Sequence, residues 1–303
     1  MLQWSKYFQS PAYLELYRKM IMNPDYANLI AKWVSLENHF SVLDVGCGTG
    51  AFSYYLSSQT NSSDFYGIDI DEQFIRLATE KANNECHNAN RFHFSVANAL
   101  SMPFADNSFD LVVSYTALTN IPNGKRVMDE MIRVVKKGGT VASITAQSFS
   151  FTPQFEGIYP PSHRYYYEYK NLTVMVLRMY ESIQPISDYT QYGVAPEKVP
   201  TLFANSALHD IEMHPIGNAF SLSNAHLSND DKRSIINLMY QAEHDKFCAY
   251  MALEQSRHFI SHEQAERYLR VLELRKDALL SDIGENKIWE WFGGAQILMC
   301  GKK

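Results

Sequence analysis

The chain has 303 residues, 46% of them hydrophobic and 20% charged, a balance that supports a buried core and excludes a disordered polymer. With 27 Lys+Arg against 33 Asp+Glu the net charge is −6, which disfavours a nucleic-acid partner. No apolar run approaches the roughly 18 residues of a membrane span, so no membrane partner is expected. The start, Met1-Leu2-Gln3-Trp4-Ser5-Lys6, has no basic cap followed by an apolar stretch, so no secretory signal is expected. Cys47, Cys86, Cys248 and Cys300 form no CxxC pair, which argues against a disulfide scaffold or a Cys-rich zinc site and fits a reducing cytoplasm.

Residues 1–40 read as a helical cap. Pro11 suits a first helical turn, with Leu14, Tyr17 and Ile21 on one face; Asn23-Pro24 breaks and restarts the helix, and Leu29, Ile30, Trp33 and Val34 form a second stripe. From residue 41 the period changes. Short apolar strands over 42–45, 65–69, 92–96, 109–115 and 140–145 alternate with helical stretches, among them 71–86 and 124–136, the last expected to end at Gly138-Gly139. That rhythm predicts an α/β fold with a doubly wound, mostly parallel Rossmann-like sheet over 41–147. The alternation stops at 148. A Tyr-rich insertion runs over 148–195, and 196–303 completes the sheet with a helix at 199–208, strands at 211–216 and 295–300, and a helical insertion at 228–282. Ser228 with Asp231, and Ser261 with Gln264, fit capping boxes that open its two helices.

The strand–Gly46-x-Gly48-x-Gly50–helix passage is a nucleotide-type loop, because glycines let the backbone turn tightly and approach a ligand. Asp69 ends the next strand, where a carboxylate can accept hydrogen bonds from both hydroxyls of a ribose. Read as G-x-G-x-x-A, Gly46 to Ala51 also satisfies the dinucleotide fingerprint, which keeps a nicotinamide-dependent oxidoreductase in play. Asp44 speaks against it, since a carboxylate beside the loop repels a pyrophosphate and suits an amine-bearing ligand.

The run Val42-Leu43-Asp44-Val45-Gly46-Cys47-Gly48-Thr49-Gly50 resembles the first motif of the class I S-adenosylmethionine (SAM) methyltransferases. Gly67-Ile68-Asp69 resembles their second motif, and Asn98-Ala99-Leu100-Ser101-Met102-Pro103-Phe104-Ala105-Asp106-Asn107-Ser108-Phe109-Asp110 their third. Gly138-Gly139 matches their turn into the fifth strand. The resemblance covers about 40–147 and is closest to the broad group that includes ubiquinone/menaquinone-biosynthesis methyltransferases. It implies a seven-stranded sheet and SAM as cofactor. Gly46, Gly48 and Gly50, with Cys47 in the same loop, would line the methionine moiety, and Asp44 would face its ammonium. Asp69 would hold the ribose, Ile70 would lie against the adenine, and Asn98 and Ala99 would meet the adenine edge, with Asn98 standing where the family has Asp. Ser114, Tyr115 and Thr116 would pass near the methionine part, and Tyr7 and Arg18 would close the cofactor from the N-terminal cap.

Methyl transfer from a sulfonium needs alignment and exclusion of water more than a covalent intermediate, and such positioning supplies roughly 7–11 kcal/mol. The Tyr-rich insertion would cover the acceptor pocket. Arg164 would hold an anionic acceptor, Tyr166 and Tyr167 would form aromatic walls, and His163 is the candidate general base. The expected acceptor is a small molecule. The helices at 228–282 read as a lid or a homodimer surface. A SAM-binding module without catalysis is the second alternative. No metal is expected: Ser261 caps a helix between His258 and His262, and His209 and His214 flank a strand with no motif around them.

Overall fold

The computed structural model describes residues 4–7, 9–84, 89–121, 123–145, 149–150, 165–183, 199–222, 224–225, 227–283 and 291–303. Strands β1 (Ser41–Val45), β2 (Asp64–Asp69), β3 (Arg91–Val96), β4 (Phe109–Tyr115) and β5 (Val135–Ile144) pair in the order β3-β2-β1-β4-β5, all parallel. β8 (Trp291–Lys302) runs antiparallel beside β5, and β7 (His209–Ser221) lies antiparallel on its far side. The two-residue β6 (Phe149–Ser150) pairs with β8 as well, on the edge that β5 leaves free. The expected seven-stranded, mostly parallel sheet is therefore present, with β6 as a short addition.

Alternation of side chains along each strand divides the core into two layers. Val42, Leu111, Val113, Ala142, Leu298 and Cys300 point to one face. There they meet α2 (Pro11–Ile21), α3 (Ala27–Trp33) and α4 (Ala51–Ser57) through Met20, Ile21, Ile30, Val34, Phe52 and Leu56. Leu43, Val45, Val112, Val141 and Met299 point to the other face, against α6 (Gly124–Val134) and α8 (Val199–Ala204) through Val127, Met131 and Phe203. Helix α5 (Glu72–Asn84) packs on β2 and β3.

The remaining helices build a satellite. α7 (Tyr166–Ser182), α9 (Asn229–Met251) and α10 (His262–Asp282) share a cluster of Val176, Met179, Phe247, Tyr250, Tyr268 and Leu272. Glu243 sits between them and accepts hydrogen bonds from Tyr180 and Tyr268 at 3.0 and 2.8 Å. Both capping boxes form as read: Ser228 accepts from Asp231 N and Ser261 from Gln264 N. Ser10 caps α2 with Pro11 at its first position, and Asn23-Pro24 opens a short 3₁₀ turn before α3.

Two expectations need correction. α6 stops at Val134, and Gly138-Gly139 lie inside β5, where the pairing with β4 shifts register between Phe109 and Leu111. A Cβ on Gly139 would come within 2.7 Å of the Asp110 carbonyl, so this glycine serves a strand irregularity and not a helix end. Strand β7 and β8 extend well past 211–216 and 295–300, because each has its ladder bonds supplied by the other along the whole length.

Candidate functional site

The strand order reverses between β1 and β4, and in open α/β sheets a crevice opens there beyond the carboxyl ends of the strands. The loop after β1 turns through Gly46, Gly48 and Gly50, all at positive φ. Gly46 is required by contact as well as by conformation, since a Cβ there would lie 2.3 Å from the Cβ of Ala117 in the loop after β4. The amides of Gly46 and Cys47 donate to Ile68 O at 2.8 and 3.0 Å, that of Gly48 to Asp69 Oδ2 at 2.9 Å, and that of Gly50 to Cys47 O at 2.9 Å. These donors are used inside the protein, which leaves the loop poorly suited to cradle a pyrophosphate.

Asp69 also accepts from Asp71 N through Oδ1 at 2.9 Å, and burial in the cavity wall pushes its carboxyl up to about 6. Asp71 in turn caps the start of α5 by accepting from Gln73 N, and its other oxygen accepts from Ser5 N in α1 (Trp4–Tyr7) at 2.8 Å. The N-terminal cap is thereby tied to the end of β2. Glu15 of α2 makes a second tie to the glycine loop, accepting from the Thr49 hydroxyl, and Lys81 lies 3.7 Å from its other oxygen. Arg18 makes a third, donating from Nη2 to Thr116 Oγ1 at 2.7 Å while its guanidinium sits 4.5 Å over the Tyr115 ring.

Behind the glycine loop, Asp44 is 1% exposed and accepts from Ser53 Oγ through Oδ2 at 2.8 Å. Desolvation raises its carboxyl to about 7, against the lowering effects of Ser53 and the Arg18 charge. Two buried polar atoms here have no protein partner: Oδ1 of Asp44 and Nη1 of Arg18. One is an acceptor and the other a charged donor, and the two side chains are close enough for the Arg18 charge to act on Asp44. Buried groups of this kind are normally satisfied, so the pair calls for a ligand.

The crevice encloses about 700 Å³ counted to its open mouth, in the range of small-molecule sites. Of the residues singled out from sequence, Arg18, Gly46, Gly48, Asp69, Ile70, Asn98 and Ala99 line it. Asp44, Cys47, Gly50, Ser114 and Tyr115 stand behind that lining. Cys47 is buried with its thiol toward Gly48 O, Gly50 caps α4, Ser114 accepts from Leu118 N, and Tyr115 donates to Gln296. Asn98 accepts from Leu100 N at 2.9 Å and so shapes its own turn as well as the wall. Thr116, the last of the three residues expected near the methionine part, lines the crevice, whereas Trp4, Leu14, Phe74 and Asn120 were missed as lining residues. For Leu14 the signal was its place one turn before Arg18; for Trp4, in a four-residue helix, sequence offered none. Tyr7 lies in α1, with its side chain outside the described residues, as is that of Tyr166. His163 and Arg164 fall wholly outside them. Tyr167 is 57% exposed on α7 and does not line the crevice. Among the described residues, no helix is long and apolar enough to cross a membrane.

Residues 36–163 match the family model described as a methyltransferase domain. The demethylmenaquinone methyltransferase of Listeria welshimeri is 35% identical over 115 residues, which are 37% of this chain and 48% of that protein. That of Geobacillus stearothermophilus is 26% identical over 205 residues, 65% of this chain and 82% of that one. The chain thus spans about half the length of the more similar Listeria relatives. Among solved structures, phosphoethanolamine N-methyltransferase 2 of Haemonchus contortus in complex with S-adenosyl-L-methionine superposes with a TM-score of 0.52 at 17% identity, over 99% of this chain and 59% of that one. The YcgJ protein from Bacillus subtilis gives 0.50 at 16%, over 93% and 99%. These likenesses confirm the sheet type. Over its segment 36–163 the chain thus resembles a methyltransferase domain, on a sheet of the type seen in a SAM-bound methyltransferase.

Proposed function

We propose that this protein transfers a methyl group from SAM to a small-molecule acceptor. The observation that carries the reading is the pair of unpartnered buried atoms on Asp44 and Arg18. An amino-acid zwitterion offers a carboxylate to Arg18 Nη1 and an ammonium to Asp44 Oδ1, and so satisfies both. Each Asp69 oxygen already accepts one amide and keeps a lone pair for a ribose hydroxyl. Ile70, Phe74 and Ala99 give apolar walls for a purine, with Asn98 at its edge.

The bound sulfonium supplies an already activated methyl group. The chain's own part is to orient and to exclude water. Asp44, Arg18 and Asp69 fix two ends of the cofactor, and the ties of Ser5, Glu15 and Arg18 hold the N-terminal cap over the crevice. The acceptor would enter from the side of the Tyr-rich insertion, where Arg164, Tyr166 and Tyr167 would bind it and His163 would take a proton if the acceptor atom carries one. Relatives named for demethylmenaquinone and phosphoethanolamine favour a small acceptor over a protein or nucleic acid. A cytoplasmic setting and a homodimer through the 228–282 helices belong to the same proposal.

Calorimetry with SAM, its demethylated product and NAD tests the cofactor. SAM and its product should bind and NAD should not; binding of NAD alone would revive the oxidoreductase. Incubation of a cell extract with isotopically labelled SAM should then yield one new labelled metabolite by mass spectrometry. Tight SAM binding without any labelled product would favour a non-catalytic module.

A further inference from the structure

Away from the crevice, the last two strands bring two side chains of β7 together with a distant one of β8. Glu212 of β7 stands directly opposite Cys300 of β8, so the two project from the same face of the sheet, and His214, two residues on, projects with them. The uninterrupted ladder from Glu212–Cys300 to Ser221–Trp291 sets this placement, and the register shifts only beyond it, between His209 and Glu212, where Asp210 takes φ +48°. The ligating atoms of Glu212, His214 and Cys300 all lie within 4.8 Å of one another, with Glu212 Oε2 and His214 Nε2 at 2.9 Å.

The surroundings hold two of the three in place. The His214 imidazole stacks on the Trp33 ring at 4.4 Å and 5°, which fixes its orientation. Cys300 is 4% exposed, and its thiol donates to Trp33 O at 3.5 Å. Lys302, next on that face of β8, turns its ammonium to Thr140 Oγ1 at 2.7 Å. Glu212 is exposed and opens the cluster to solvent.

We propose that Glu212, His214 and Cys300 bind a divalent metal ion of the zinc class, with water as the fourth ligand. A sulfur, an imidazole nitrogen and a carboxylate oxygen are the mixed donor set of tetrahedral zinc, whereas magnesium or calcium would call for oxygen ligands. On binding, the Cys300 thiol releases its proton to solvent and the metal–sulfur bond replaces the hydrogen bond to Trp33. The ion would clamp the edge strand β7 onto β8 close to α3.

The test uses the full chain carrying Cys248→Ser, because exposed Cys248 lies 3.9 Å from His244 Nε2 on α9 and could take up metal itself. Titration with Co²⁺ should give a thiolate-to-cobalt charge-transfer band that saturates at a single equivalent. Adding Cys300→Ser should abolish the band. Glu212→Gln alters an exposed residue, so the fold should survive, and it should weaken binding by at least about tenfold, the lower end of what even outer-shell changes cost. His214→Ala should do the same, with circular dichroism reporting that each variant is folded. Absence of the band in the Cys248→Ser protein, its persistence after Cys300→Ser, or an unchanged affinity in Glu212→Gln would each overturn the site.

Discussion

The loops after β1, β2 and β4 are held by polar contacts at strand ends, whereas α7, α9 and α10 are held by an apolar cluster with tyrosines turned inward onto one glutamate. In the first region small groups are spaced to leave a crevice, and two buried charged groups are left with an unpartnered atom. In the second, Val176, Met179, Phe247 and Tyr268 fill the space between helices. The difference separates a site for a cofactor, which demands fixed polar positions, from a helical cluster that needs only filled apolar volume.

That separation can be broken by experiment. Leu43→Ala empties a fully buried site on β1 and should cost about 2–5 kcal/mol with loss of SAM binding, because the glycine loop hangs from that strand. Leu272→Ala in the satellite should destabilise on the same scale of about 2–5 kcal/mol yet leave SAM affinity near that of wild type. Equal damage to affinity in both, measured by calorimetry alongside thermal denaturation, would merge the two regions into one. Asp69→Ala removes a charged acceptor from the crevice and orphans the Gly48 and Asp71 amides, so SAM should bind roughly 100-fold more weakly.

A pH series sharpens the comparison further. Asp44 is raised to about 7 and Asp69 to about 6, well above the ~3.9 of an unfolded aspartate. The folded state therefore holds protons that the unfolded chain has released. The stability these groups contribute is complete below about pH 4 and is lost as pH rises through their folded values. In the ligand-free protein, Asp44→Asn should raise the melting temperature relative to wild type at about pH 8 and leave it near wild type at about pH 4. Affinity for SAM should move the other way. It should grow as Asp44 ionises to meet the ammonium, and in Asp44→Asn it should be weaker and lose the part of that rise near pH 7. The smallest effect belongs to the satellite's own capping: Ser228→Ala should cost about 1 kcal/mol of stability and leave SAM affinity unchanged.

Much of the first region was legible because its signals are local. β4 spans 109–115 as read, Pro11 stands at its helix start, and the glycines of the loop take the positive φ that their spacing implies. The second region was harder. α7 divides its apolar residues between the buried Val176 and Met179 and the exposed Val174 and Leu177, which blurs the helical period. Gly138-Gly139 read as a helix end because a glycine pair after a helical run is locally the same signal as a kink in a strand.

Sequence by itself determined the strand–loop–helix rhythm, the acidic residues near the ends of two strands and the cofactor class they imply, since each depends on neighbours a few residues away. Tertiary structure decided which of those residues reach the crevice, that Ser5, Glu15 and Arg18 tie the N-terminal cap to the strand ends, and that Glu212, His214 and Cys300 meet. These are contacts between distant segments, set by strand register and helix docking, and a linear pattern carries no measure of either.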